Sequence, residues 1–149
     1  MSEHMPVCPN PLFGLSGQIA VVTGSSKSIG RAIAEHMARQ GANVVISSRR
    51  KDACEEVAAG IRACGGEAMA QACHIGCKDE LQALVDATVG QWGRIDALVC
   101  NAAVHPYFGP SLGMPDDTWD RIIDYNLRST FWLCNMALPS MAAAGAAQW

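Results

Sequence analysis

A three-layer α/β fold on a doubly wound parallel sheet is predicted by three observations. Four short apolar runs, residues 19–23, 43–48, 68–73 and 97–100, alternate with four stretches of helical periodicity. The runs are nearly continuous in apolar character instead of alternating, as strands buried on both faces require. The connections are short, which makes each strand–helix–strand passage a crossover between parallel neighbours.

The first helical stretch places Ile29, Ile33, His36, Met37 and Gln40 on one stripe, with Gly41 as a C-cap. The second, residues 51–64, ends at Gly65-Gly66. In the third, Leu81, Leu84, Val85, Thr88, Val89 and Trp92 form an apolar face closed by Gly93. The fourth is the longest and opens at Pro115-Asp116-Asp117, where proline and acids suit a helix start. Its stripe runs through Trp119, Ile122, Ile123, Leu127, Thr130, Phe131, Cys134, Leu138 and Met141.

The chain has 149 residues, enough for one domain with a real core. Half of them are apolar and 17% are charged, and the formal net charge is −3, so neither nucleic acid nor an acidic membrane surface is indicated as a partner. No apolar stretch approaches the length of a membrane span. Pro6, Pro9, Pro11 and Gly14 mark residues 1–14 as a flexible leader before a domain at 15–149. No Lys or Arg precedes Lys27, so the charged start of a signal peptide is missing and a cytoplasmic location is expected. Seven cysteines, an odd number scattered through apolar segments, do not form a disulfide framework. Cys73-His74-Ile75-Gly76-Cys77 lacks the ligands and spacing of a zinc site, and buried reduced thiols with no metal are expected there.

The first predicted strand runs into Thr23-Gly24-Ser25-Ser26-Lys27-Ser28-Ile29-Gly30, where a helix begins. Glycines let the backbone turn tightly and approach a phosphate, and the unpaired N–H groups of a helix start face the negative charge. A strand before and a helix after make this a dinucleotide-binding, Rossmann-type arrangement; the alternative is a plain strand-to-helix turn of small residues. At the end of the second strand stand Ser47-Ser48-Arg49-Arg50-Lys51. An acid there reads the ribose of NAD, whereas an Arg accommodates the 2′-phosphate of NADP. Cations at a helix N-terminus are disfavoured by the helix dipole, so this cluster, with Lys27 nearby, calls for an anionic partner. NADP(H) is therefore expected over NAD(H), the other reading being a solvated basic helix start.

With these residues in place, the chain resembles the short-chain dehydrogenases/reductases over roughly residues 15–141. Their cofactor loop reads T-G-x-x-x-G-x-G; Thr23, Gly24 and Gly30 match it, and Ser28 stands at the middle glycine, where it imposes strain or supplies a hydroxyl near the phosphates. Their N-N-A-G turn after the fourth strand is matched by Asn101 and Ala102 in Cys100-Asn101-Ala102-Ala103, and the resemblance implies that this turn lines the ribose. Ile95-Asp96-Ala97-Leu98-Val99 fits the family's I-D-x-L-V. His74-Ile75 stands where the family has an Asp near the adenine. Asn126, read from its neighbours alone, is a core amide that must find partners; the resemblance implies the catalytic-set Asn that holds a water and the catalytic lysine.

The resemblance implies hydride transfer between NADP(H) and a small carbonyl or alcohol substrate, with a Tyr as acid/base, a Lys four residues later and a Ser on the substrate oxygen. Four residues beyond Tyr107 and Tyr125 stand Ser111 and Ser129, and Lys27, Lys51 and Lys78 all belong to the nucleotide half. A chain truncated before the catalytic Ser, Tyr and Lys is the expectation, carrying four of the usual strands and inactive as it stands. A non-catalytic dinucleotide-binding or regulatory subunit is the alternative. An epimerase-like or methyltransferase-like binder is disfavoured by Arg49 and by the Gly24–Gly30 spacing. An open apolar edge at the fourth strand, and Phe131, Trp132 and Leu133 left exposed on the 116–141 helix, lead to an expected homo-oligomer. Of any substrate pocket only the loop 104–114 is present, where His105, Tyr107 and Phe108 either form an apolar wall or pack within the loop.

Overall fold

All five residues of the first strand, β1 (Ile19–Thr23), are buried, because the strand is covered on both faces and flanked on both sides. A computed structural model describes residues 12–145; the leader expectation for residues 1–11 lies outside the described residues. The chain continues through α1 (Ser28–Arg39), β2 (Asn43–Ser48), α2 (Lys51–Ala63), β3 (Ala68–Ala72), α3 (Lys78–Trp92) and β4 (Ala97–Val99). A short 3-10 turn (Ser111–Gly113) precedes α4 (Asp116–Ile123), which passes through a π-helical turn (Asp124–Arg128) directly into α5 (Ser129–Ala143). The strands form one parallel sheet in the order β3-β2-β1-β4, with Ile19 opposite Asn43, Ala20 opposite Ala97 and Val44 opposite Ala68. This is the doubly wound α/β architecture expected from the alternation of strands and helices.

Successive β1 residues point to opposite faces and so feed two cores. Ala20 and Val22 pack with Val44, Ile46, Val57 and Ile61 under α1 and α2. Val21 packs with Val45, Leu81, Leu84, Ile95 and Leu133 under α3 and α5. The Asp96 carboxylate joins the strand starts: its oxygen accepts the Ile19 N–H at 2.8 Å and is held by Arg94, while the Asp96 N–H donates to the Ile19 carbonyl. The I-D-x-L-V pattern therefore registers β4 against β1.

Two helix faces differ from the sequence reading. In α1 the sheet-facing residues are Gly30, Ala34 and Ala38, four apart, while Ile29 is 71% exposed. Ile33 and Met37 only flank the core. In α5 the inward row is Ser129, Leu133 and Ala137, and Phe131 is 64% exposed. Leu133, expected at the surface, is buried, and Trp132 packs on the core under the Lys78 ammonium, 5.4 Å from the ring centroid. In α1 the small residues let the backbone approach the sheet closely and leave the bulky side chains on the flanks, whereas in α5 Leu133 fills the inward row between the small Ser129 and Ala137. The face of α3 is as expected, with Leu81, Leu84, Val85 and Thr88 buried and Gly93 closing the helix at φ +78°.

Candidate cofactor-binding site

The carboxyl ends of β1, β2, β3 and β4 open onto one cleft of about 470 Å³, within the range of small-molecule sites. Its floor is a backbone crossing that only glycine permits. Gly24 has φ +68°, and a Cβ there would lie 2.9 Å from the Asn101 amide nitrogen. A Cβ on Gly30 would collide with the Gly24 carbonyl and come within 2.5 Å of the same Asn101 nitrogen. The two glycines and the turn after β4 thus hold one another at a separation that excludes any side chain.

Thr23 and Asn101 fasten this crossing. The Thr23 hydroxyl accepts the N–H groups of Asn101 and Ala102, both at 3.1 Å, and the Asn101 amide donates to the Thr23 carbonyl at 3.0 Å. Above it, the first backbone bond of α1 is Arg31 N–H to the Lys27 carbonyl, so the amides of Ser28, Ile29 and Gly30 have no intrahelical acceptor, and these three residues line the cleft. Ser28 has φ +51° and is the one non-glycine in the left-handed region among the described residues. Such a conformation costs a non-glycine residue about 1–2 kcal/mol; it is the conformation that the missing glycine would adopt freely.

Of the predicted site residues, Thr23, Gly24, Ser26, Lys27, Ser28, Ile29, Gly30, Arg49, Arg50, His74, Ile75, Asn101, Ala102 and Ala103 all line this cleft. Two do not. Ser25 is fully buried: its hydroxyl donates to the Val22 carbonyl at 2.6 Å and accepts the Ser47 N–H, and its own N–H donates to the Ser47 carbonyl. It stitches β1 to β2 and has no donor left for a ligand. Asn126 lies in the π-helical turn with both amide atoms on Val104: Oδ1 accepts its N–H and Nδ2 donates to its carbonyl, each at 2.8 Å. Its side chain positions the loop after β4 and is not itself in the cleft wall.

The cations divide in the same way. Arg50 is bound to Asp52, with a 2.6 Å ion pair, and the Asp52 carboxyl is held below its usual range by that guanidinium and by the Ala53 amide. The side chains of Arg49 and Lys27, also in the wall, have no ion pair or hydrogen bond among the described residues. The sequence reading missed Arg121 and Tyr125 on the far wall. The Tyr125 ring meets His74 edge-on at 5.4 Å, Arg121 lies 5.5 Å from its centroid, and a Cβ on Gly76 would strike it at 2.9 Å. Tyr107 of the 104–114 loop turns back to donate to the Pro110 carbonyl at 3.0 Å, and Phe108 is exposed; neither reaches the cleft. Cys73 lines the cleft floor at 2% exposure, and burial, followed by Glu80 and Cys77, pushes its thiol up to about 12, so it is a neutral thiol at physiological pH.

A glycine crossing, free helix-start amides and an uncommitted guanidinium at the end of β2 define a dinucleotide-binding α/β protein. The family model for the short chain dehydrogenases matches residues 18–148, and the chain belongs to that family. It is 37% identical over 131 residues to dehydrogenase/reductase SDR family member 4 of Bos taurus, covering 88% of this chain and 47% of the relative. It is 39% identical to the human SDR family member 2, mitochondrial, covering 85% and 45%. Among solved structures, a hydroxysteroid dehydrogenase from Escherichia coli superposes with a TM-score of 0.83 at 36% identity, over 89% of this chain and 55% of the other. A metagenomic short-chain oxidoreductase in complex with NADP superposes with a TM-score of 0.80 at 40% identity, over 87% and 58%. The chain spans about half the length of the curated relatives it matches.

Proposed function

We propose that this chain is the cofactor-holding part of an oxidoreductase that prefers NADP(H) and acts on a small carbonyl or alcohol substrate. The observation that carries this reading is Arg49, a guanidinium with no protein partner among the described residues, in the same cleft as the free amides of Ser28, Ile29 and Gly30. The NADP held by the similar metagenomic oxidoreductase supports it. The nicotinamide, when bound, supplies hydride transfer; this chain's own residues bind and orient it. The Gly24–Gly30 crossing takes the pyrophosphate, Arg49 and Lys27 face the 2′-phosphate, and the turn at Asn101, Ala102 and Ala103 supports a ribose. Neither tyrosine of the chain has a lysine four residues on, and Tyr125 is packed between His74 and Arg121, so proton transfer to substrate is not among the tasks of these residues.

Trp119, Ile123, Leu127 and Phe131 follow one another at four-residue steps along α4 and α5, and Trp119, Leu127 and Phe131 are exposed. Such a ridge suits packing against another helix, and self-association through the 116–141 segment belongs to the same proposal. Titration of NADPH and NADH against the chain, followed by nicotinamide fluorescence, tests the cofactor reading: tighter NADPH binding supports it, and equal affinities remove the preference. Sedimentation velocity tests the assembly, where a monomer at micromolar concentration contradicts it.

A further inference from the structure

Cys100 and Cys134 come together where the end of β4 packs against α5, and neither lines the cofactor cleft. Two residues after Leu98, Cys100 falls on the same face of the strand, and Leu98 packs in the core under α3 and α5. Leu133, the residue before Cys134, enters that same core from the helix side. A hydrogen bond joins the two thiols across this junction. Cys100 is exposed and Cys134 half-buried, so a small oxidant reaches the pair from solvent. Desolvation by the atoms packed around it, and after that the neighbouring Cys134 thiol, push the Cys100 thiol up to about 12. A thiol that holds its proton is a slow nucleophile on its own. The neighbour changes that chemistry, because the second sulfur is already in place and need not be captured from solution. Among the described residues no third His, Cys, Asp or Glu joins the pair to complete a metal site.

We propose that Cys100 and Cys134 form a redox-modification site, closing to a disulfide under a small disulfide oxidant such as oxidised glutathione and opening again under thiols. In the closing step one protein sulfur attacks a sulfur of the oxidant, breaking its S–S bond and releasing one thiol. The second protein sulfur then attacks the first, forms the Cys100–Cys134 bond and releases the other thiol. The protein thiols are oxidised, the oxidant is reduced to a pair of thiols, and the protein's thiol protons leave on them. Closure fastens to α5 a turn already held by the Thr23 hydroxyl at Asn101 and Ala102 and by Asn126 at Val104. The inference goes beyond the cofactor reading and does not depend on it.

Incubation of the folded chain with oxidised glutathione, followed by alkylation of the remaining thiols and peptide mapping, tests the site. The expected result is a Cys100–Cys134 cross-link within one chain, reversed by dithiothreitol. The cross-linked chain is expected to melt roughly 5–15 °C above the reduced one, since the link closes a long loop in the unfolded state. Cys100→Ser and Cys134→Ser should each abolish both the link and the rise in Tm; where a serine variant fails to fold, the map of the parent chain decides alone. Glutathione left on either cysteine without a cross-link, a link to any other cysteine or between chains, a link that fails to raise the Tm, or a folded chain that stays reduced overturns the inference.

Discussion

Arg49 and Arg50 are adjacent in sequence and similarly exposed, yet they differ in what the fold leaves them to do. Arg50 is held by Asp52, whereas the side chains of Arg49 and Lys27 in the same cleft wall have no ion pair among the described residues and keep their charge to offer a ligand. Arg49→Ala is expected to weaken NADPH binding by on the order of tenfold while changing NADH little, measured as paired Kd values. A loss shared equally by both cofactors would assign Arg49 to the fold instead. Gly30→Ala tests the crossing beneath: the Cβ has no room against the Gly24 backbone, so a stability loss of about 1–3 kcal/mol and loss of cofactor binding are expected in a denaturant melt and a titration. Asn126→Ala leaves the Val104 N–H and carbonyl unpaired, and about 1–3 kcal/mol of destabilisation is expected. The thiol of Cys73 adds a pH dependence. Its folded value of about 12 lies above the ordinary 9.0, so its contribution to stability is complete below about pH 9 and is lost as the pH rises towards 12. Melting curves across that window should fall less steeply for Cys73→Ala.

At the scale of elements, the strands and the closing glycines were legible because they are local: buried strands are apolar along their length, and Gly41, Gly65 and Gly93 adopt the positive φ that ends a helix turn or loop. The phosphate loop was legible for the same reason, its residues being contiguous. Ser25 was misassigned because a serine that reaches the neighbouring strand and one that reaches a ligand look alike in sequence. The inward faces of α1 and α5 were misread because bulky residues were weighted over small ones; α5 is apolar nearly all round, so its period identifies no face. Arg121 and Tyr125 were not legible from spacing alone, since Tyr125 meets His74 only through a long-range contact and Arg121 is placed against the Tyr125 ring; the one sequence signal was Gly76, the residue without a side chain opposite the ring. These faces can be tested. Ala34→Leu and Ala137→Leu should each destabilise the chain by about 1–3 kcal/mol through overpacking, whereas Ile29→Ala should stay within ~0.5 kcal/mol of the parent. Equal effects from all three, in equilibrium unfolding, would mean that the helices sit in another rotation.

For the whole molecule, the sheet joins a nucleotide half, built from β1 to β3, to β4 and the α4–α5 helix, and the cleft lies across the join with walls from both. Ligand binding should therefore tighten the entire fold instead of one loop, and at a hundredfold excess over Kd stabilise it by about 2.7 kcal/mol. Free amides at the start of α1, with Arg49 in the same cleft, are what we propose holds a phosphorylated dinucleotide. Isothermal titration of folded chain with NADPH and NADH tests it most directly. Saturable binding at one site per chain, tighter for NADPH, is the predicted outcome; no heat with either nucleotide on cooperatively folded protein would contradict it.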